Sequence, residues 1–365
     1  MKQSYKRVAI IGIVGVPASY GGFESLVENI IGENSSQFIE YTICCSSLSY
    51  SQKKDVYKGA KLKYIPLKAN GIQSIFYDII SIFRTILKVD VLLILGVSGC
   101  IILPVIKLFS AKKIIVNIDG LEHKRDKWKP LVRRFLKWSE KLAVNYADVI
   151  ISDNKAIQDY VKAQYNKDSE LIEYGGDHVL CDVSAIESTV LEQYGLEKMN
   201  YSFSVCRIEP ENNIKITLDA FSRINENIVF VGNWQNSNYG QMLRKEYSQY
   251  KNIMLLDPIY DIKVLNVLRQ NCKFYLHGHS AGGTNPSLVE AMFFGKPVLT
   301  YDVEYNRETT ENKAYYYNDA QSLINLINMP YTDFMDSGRV MAKIAYRRYL
   351  WKYIAQKYEA LYLED

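Results

Sequence analysis

The chain has 365 residues, 48% of them apolar and 23% charged, with a formal net charge of +4. That length can bury two cores, the balance is ordinary for soluble globular protein, and so small a charge gives no reason to expect nucleic acid as a partner. Six cysteines (Cys44, Cys45, Cys100, Cys181, Cys206 and Cys272) form no Cys-x-x-Cys pair and have no companion His spacing. This speaks against a cysteine metal site and for reduced, mostly buried thiols in a cytosolic chain.

In chain order, the basic start runs into an apolar stretch at 8–16 that Gly12 and Gly15 interrupt. It reads as a buried strand over 8–13 rather than a signal peptide. Gly12, Gly15, Gly21 and Gly22 then let backbone approach a ligand closely, and a helix is expected over 23–32. The spacing is not the Gly-x-Gly-x-x-Gly of dinucleotide folds and the loop is too long for that turn, which argues against a nicotinamide enzyme. Strands are expected near 40–45 and 62–65 and a helix near 74–87. Residues 91–109 are apolar for long enough to raise a membrane span. Gly96, Ser98, Gly99 and Pro104 break the run, so the favoured reading is a buried strand at 91–95, a loop, and a helix at 100–109.

A strand over 113–118 ends at Asp119-Gly120, where an Asp commonly forms a turn or caps a helix. A helix follows over 128–146. Lys124, Arg125, Lys127, Lys129, Arg133, Arg134, Lys137 and Lys141 stand here beside Trp128, Phe135 and Trp138. Such a basic helix with aromatic anchors is either an ordinary solvated face or a surface that rests on an anionic membrane. A strand near 148–152 completes the first alternation, one doubly wound parallel sheet.

A second alternation follows, with strands near 201–206, 227–231, 252–255, 273–277 and 297–301 and helices near 214–223, 239–249, 261–270 and 286–294. Its most informative segment is LHGHSAGGTNPSLVEAMFFGKP, residues 276–297. The apolar run ends in a loop holding Gly282 and Gly283. Asn285 is placed as N-cap, Pro286 stands at the first helical position, and Gly295 and Pro297 close the helix. A helix N-terminus facing a side-chain-free loop is an anion site, so Gly282, Gly283, Thr284, Asn285 and Ser287 are candidate phosphate-binding positions. Glu290 lies one turn into the helix, too far in to cap it. It either accepts hydrogen bonds from hydroxyls beside the phosphate, as on a ribose, or is merely solvated. The final segment, 347–362, reads as a helix. No repeat at a solenoid period is visible.

The string GGTNPSLVEAMFFGKPVLTYDVEYNRE resembles the donor-binding segment of the retaining glycosyltransferases of family 4. These carry Glu, seven residues, Glu, then Ala-Met and Gly-x-Pro-Val. Glu290-Ala291-Met292 and Gly295-Lys296-Pro297-Val298 match, and Gly282 stands in place of the first Glu. The variant GGTNPSLxEAM is similar to the bacterial polysaccharide rhamnosyltransferases of that family. So is the N-terminal pattern, of which Gly12, Gly15, Pro17, Ala18, Tyr20, Gly21, Gly22, Phe23 and Glu24 are kept. SVCRIEPENNIKITLDAF resembles the family's Gly-Arg-x-x-x-x-Lys segment, in which Arg and Lys neutralise the donor diphosphate. Arg207 matches, Asn212 takes the Lys position, and Lys215 is the nearest substitute. A salt bridge with Glu209 or Glu211 is the plain alternative for Arg207. Many relatives place His where Asp119 stands. The resemblance thus makes Asp119 the reactive-centre candidate, orienting a sugar hydroxyl or helping to remove the acceptor proton. Glu122 and His123 are second choices, and His123 reads better as a hydrogen-bonded loop residue.

The resemblance implies the GT-B fold, with two Rossmann-like doubly wound domains facing across a cleft. Residues 1–176 would be the acceptor-side domain, 177–345 the nucleotide-sugar-binding domain, and 346–365 a helix packing back on the first. It implies transfer of L-rhamnose from dTDP-L-rhamnose, with retention, to a lipid-linked saccharide in capsule, exopolysaccharide or O-antigen synthesis. Catalysis would fall to Asp119 and Arg207, and donor binding to Gly21, Gly22, Gly282, Gly283, Thr284, Asn285, Ser287 and Glu290. No cofactor or metal is expected, and no Asp-x-Asp string occurs. The chain would be cytoplasmic and peripheral on the inner face of the cell membrane. A UDP-hexose donor, or a non-catalytic sugar-nucleotide or glycan-binding protein on the same fold, is the alternative.

Overall fold

The structure, a computed structural model, describes residues 5–18, 21–34, 36–118, 120–124 and 128–364. The chain divides into two compact units, Met1–Tyr174 with Trp351–Asp365, and Gly175–Leu350.

The first unit runs β1 (Lys6–Ile11), α1 (Gly22–Gly32), β2 (Ile39–Ser46), β3 (Val56–Tyr57), β4 (Ala60–Ile65), α2 (Gln73–Thr85) and β5 (Val91–Leu95). It continues through α3 (Leu103–Phe109), β6 (Lys113–Asn117), α4 (Pro130–Tyr146), β7 (Val149–Ser152), α5 (Lys155–Tyr165) and β8 (Glu170–Leu171). The sheet order is β3-β4-β2-β1-β5-β6-β7-β8, parallel except for the β3–β4 pair. Parallel strands are covered on both faces, and β5, VLLIL, is buried at every position. The run at 91–109 is therefore a core strand, a loop and a short helix, and among the described residues no helix is long and apolar enough to cross a membrane.

The second unit holds α6 (Glu187–Gln193), β9 (Ser202–Val205), α7 (Ile214–Phe221), β10 (Ile228–Val231), α8 (Asn238–Tyr247), β11 (Ile253–Leu256), α9 (Ile262–Asn271) and β12 (Phe274–His277). Then come α10 (Pro286–Met292), β13 (Val298–Tyr301), α11 (Glu304–Thr309), β14 (Tyr315–Tyr317), α12 (Ala320–Ile327) and α13 (Met335–Arg348). All six strands are parallel, in the order β11-β10-β9-β12-β13-β14. The last helix, α14 (Trp351–Leu363), belongs to the first unit and packs on α1.

Two expectations need correction. The first strand ends at Ile11, two residues early, because Gly12 turns the chain at φ +93°; a Cβ there would lie 2.0 Å from the Leu95 carbonyl oxygen. The segment at 347–362 is not one helix. Tyr349 is anchored in the second unit, its hydroxyl donating to the Thr309 carbonyl at 2.8 Å and its own carbonyl accepting from Gly176 N–H at 2.9 Å. The helix therefore breaks at Tyr349 and Leu350 and restarts at Trp351.

The connection from β1 to β2 runs toward one sheet edge. Those from β4 to β5, β5 to β6 and β6 to β7 run the other way. Right-handed crossovers therefore put α2, α3 and α4 together on the face opposite α1.

Candidate active site

In the second unit, β9 and β12 are neighbours, so the loops that leave their C-terminal ends meet. This is where doubly wound sheets bind ligands. The two loops are stitched together. Ser280 donates from both its N–H and its Oγ to the Glu211 carbonyl, at 2.9 Å each. Asn213 Nδ2 donates to the Gly278 carbonyl at 2.8 Å. A Cβ on Gly278 would lie 2.1 Å from the Asn212 carbonyl oxygen, so only glycine allows this approach. A third loop joins through Asn306, whose Nδ2 donates to the carbonyls of His279 (2.8 Å) and Tyr301 (2.9 Å).

The glycine segment takes the expected local form. Gly282 has φ +118°. Asn285 caps α10, its Oδ1 accepting from Ser287 N–H at 3.1 Å and from Ser287 Oγ at 2.8 Å, and Pro286 opens the helix. Thr284 is buried.

Arg207 projects from the loop after β9 with its side chain 44% exposed, and its guanidinium lies 3.8 Å from the Glu209 carboxylate. That separation is too long for a hydrogen bond, and a guanidinium at this place can grip an anion bidentately. Asn212, at the position where the family has Lys, is buried. Its Nδ2 donates to the Arg207 carbonyl at 2.6 Å, which leaves Oδ1 to accept from His279 Nδ1 at 2.5 Å. That pairing fixes the proton of the His279 ring on Nδ1. Lys215 does not stand in for the missing Lys. It bonds Tyr247 at 3.0 Å and Asp219 at 3.3 Å, and the Tyr247 bond holds its pKa above the usual lysine range. His277, below the loop, is fully buried, and burial pushes its pKa down to about 3, so it stays neutral.

Glu290 is not an ordinary solvated carboxylate. Its Oε2 accepts from Arg269 Nη2 at 2.5 Å, and its Oε1 lies 3.6 Å from His178 Nε2. Arg269, on α9, has a side chain only 4% exposed, whereas that of Glu290 is 16% exposed. Sequence reasoning missed Arg269, since nothing in the local pattern of α9 ties it to a helix two elements away.

In the first unit, Asp119 and Tyr20 lie outside the described residues. Gly21 precedes α1 at φ +95°, and Gly22 is its first residue. Glu24 is buried and accepts from Val14 N–H at 2.8 Å, which pins the glycine loop to α1. Among the second choices, Glu122 accepts from Trp128 Nε1 at 3.0 Å, and His123 Nδ1 bonds Glu140 at 2.8 Å. His123 is thus hydrogen-bonded, and it stands in a 3-10 turn (Glu122–Lys124) rather than a loop. Glu140 is buried and also accepts from Tyr160 (2.8 Å), Tyr165 (2.6 Å) and Lys137 (3.2 Å). Burial pushes its pKa up, but the bonds from His123, Tyr165 and Tyr160 outweigh that and hold it at about 2. The six cysteines are free: four are buried, Cys206 is half-buried and Cys181 is exposed.

Comparison with known proteins fits this geometry. Residues 5–177 match a domain of unknown function, DUF1972. Residues 188–333 match the model of the glycosyl transferases group 1. No curated protein matches the sequence. Among solved structures, sucrose-phosphate synthase from Thermosynechococcus elongatus is similar over 98% of both chains, with TM-score 0.81 and 15% identity. HepE of Anabaena, in complex with UDP-glucose, is similar over 98% of this chain and 99% of its own, with TM-score 0.74 and 14% identity. The catalytic domain of starch synthase IV from Arabidopsis thaliana, bound to ADP and acarbose, covers the same shares with TM-score 0.74 and 11% identity. The chain thus carries a glycosyl transferases group 1 domain at residues 188–333, within the two-domain α/β fold of the GT-B glycosyltransferases.

Proposed function

We propose that the protein is a retaining glycosyltransferase that moves L-rhamnose from dTDP-L-rhamnose to a lipid-linked saccharide of a surface polysaccharide. The observation that carries the reading is the pair of stitched loops after β9 and β12. They present Arg207, a glycine loop and the capped start of α10, with Glu290 one turn further on. The diphosphate would lie against Arg207 and the backbone from Thr284 to Ser287, and these groups would stabilise the charge that grows as the diphosphate departs. Glu290, hydrogen-bonded by Arg269, would accept the ribose hydroxyls. Gly21 and Gly22 would admit the donor close to backbone in the first unit, and Asp119 would act at the reacting sugar. The N-terminal pattern and the GGTNPSLxEAM variant support rhamnose, as does Asp119 in place of His, because a 6-deoxy sugar has no 6-hydroxyl for such a His to meet. The basic segment 124–141 would bring the chain to the anionic inner surface of the membrane, where a lipid-linked acceptor resides.

A second reading, transfer from a UDP-hexose, is favoured by the UDP-glucose complex of HepE. A panel of sugar nucleotides separates the two, because a bound donor raises the melting temperature by mass action. Stabilisation and turnover with dTDP-L-rhamnose, giving a β-linked rhamnoside by NMR, is the expected result. Turnover with UDP-hexoses alone replaces the donor, an α-linked product removes retention, and binding without turnover of any labelled donor leaves a non-catalytic sugar-nucleotide binder.

A further inference from the structure

The exposed apolar side chains of this protein are unevenly placed. In the second unit they are scattered singly, as at Met242, Tyr260 and Met335. In the first unit, Ile72, Phe76, Ile80, Phe83 and Leu87 follow one another at intervals of three or four residues. They form a single stripe along α2 and the 3-10 turn that extends it (Ile86–Lys88), each between 36% and 82% exposed. On α3 of the same helical layer, Leu108 and Phe109 are 80% and 78% exposed, and on α4 so are Leu131 and Trp138, at 77% and 54%. Helices that cover a sheet turn such residues inward. Here a second apolar face points away from the sheet.

The exposed charges on α2, α3 and α4 have one sign. α2, α3 and α4 carry six cations, Arg84, Lys107, Arg133, Arg134, Lys137 and Lys141, and two carboxylates, Asp78 and Glu140. Each of those carboxylates is only 3% exposed. Asp90 and Asp148, in the turns after α2 and α4, are paired with Arg7 and Lys112 and with Lys107. A cavity of about 550 Å³ opens between α4 and α5, lined by Arg133, Arg134, Lys137 and Lys141 on one side and by Gln164 and Tyr165 on the other.

We infer that the outer face of α2, α3 and α4 is a membrane-docking surface for an anionic bilayer. The apolar stripe of α2 enters the acyl boundary, and the exposed cations Arg134 and Lys141 of α4 take lipid phosphates. An apolar stripe that runs the length of a helix keeps its residues at one depth only if the helix lies in the plane of the interface. Exposed cations beside one continuous apolar stripe match an anionic bilayer, whose phosphates lie at one level above an acyl layer. The inference deepens the membrane part of the proposed function and is independent of which donor is used.

Sedimentation of the full chain with phosphatidylglycerol or phosphatidylcholine vesicles tests it. Wild type is expected to bind the former far better. The Phe76→Ser/Phe83→Ser/Leu87→Ser variant should lose about a hundredfold in partitioning or more, by the lost apolar burial. Arg134→Glu/Lys141→Glu should lose about tenfold or more, by the lost surface attraction. Both variants should keep the thermal shift that a nucleoside diphosphate gives wild type, since none of the five side chains belongs to the second unit. Vesicle binding by the triple Ser variant equal to wild type overturns the insertion of α2. So does indifference of wild type to either vesicle. A wild-type dimer that the Ser variant dissociates in sedimentation velocity also overturns it, by making the face a self-interface. Vesicle binding without any nucleotide shift sinks the donor reading and leaves the docking surface intact.

Discussion

Arg269 and Glu290 form a pair whose two members have different tasks. Arg269 is buried, and its guanidinium donates to Glu290 at 2.5 Å. Removing Glu290 should weaken binding of a free nucleoside diphosphate by about 1.5–3 kcal/mol, the range for a charged hydrogen bond. Calorimetry on Glu290→Ala that returns the wild-type affinity would falsify the ribose assignment. Arg269→Met leaves a carboxylate in a mostly buried place without its partner, which should destabilise the fold by about 1–3 kcal/mol. Adding Glu290→Gln to that variant should restore part of the loss. A double variant no more stable than Arg269→Met alone would mean that the pair is not coupled. Arg207 stands at the rim of the site with its side chain 44% exposed. Its replacement by Ala should spare the melting temperature and lower turnover about 10²–10³-fold, as loss of one oxyanion-type donor does. Asp119→Asn should reduce turnover far more than donor affinity, because a reactive-centre group acts mainly in the transition state. Equal losses in both would make Asp119 a binding residue.

Among the elements, α4 is held to its neighbours by Glu140. Its carboxyl titrates at about 2 in the fold and near 4.3 in an unfolded chain. The folded state therefore prefers the ionised form, and the stability this gives is complete above about pH 4.3 and is lost as pH falls toward 2. Glu140→Gln should cost about 1–3 kcal/mol at pH 7 and should flatten the acid side of the stability profile in that window. A variant with an unchanged acid slope would show that other carboxylates set it. Elements also differ in how legible they were. β1, β5 and β6 were plain because buried parallel strands are continuous apolar runs, and Gly, Asn and Pro punctuate α10 by a local mechanism. β3, β8 and β14 are edge strands of two or three residues, too short for a pattern. The break between α13 and α14 was hidden because helical spacing continues through Tyr349, and only its bonds to Thr309 and Gly176 stop the helix. In the site, Asn285 and Ser287 could be read because a cap is a local event. The Asn212–His279 and Arg269–Glu290 pairs could not, because each joins side chains that only the sheet order brings together.

For the whole molecule, the two units differ in how the chain builds them. The second is one continuous stretch, Gly175–Leu350, whereas the first needs a segment from the far end of the chain. α14 contributes Trp351, Ile354, Tyr358, Leu361 and Tyr362 to the same core as Val8, Leu26 and Ile43. Tyr358 also accepts a hydrogen bond from buried Asn117 Nδ2 at 2.9 Å. Burying five such side chains is worth about 8–15 kcal/mol as an upper estimate, as much as the whole net stability of a typical domain, about 5–15 kcal/mol. A chain that ends at Leu350 should therefore lose the first unit entirely and keep the second. Hydrogen exchange would read this directly. Amides of β1, β2 and α1 should exchange at nearly unfolded rates in the truncated chain, while those of β9, β10 and β12 stay protected. Supplying residues 351–365 as a separate peptide should restore the protection in β1 and α1, because the groove that α14 fills is formed by the rest of the unit. Protection of β1 that survives truncation would mean that the first sheet holds its core without α14, and that α14 covers the unit rather than completes it.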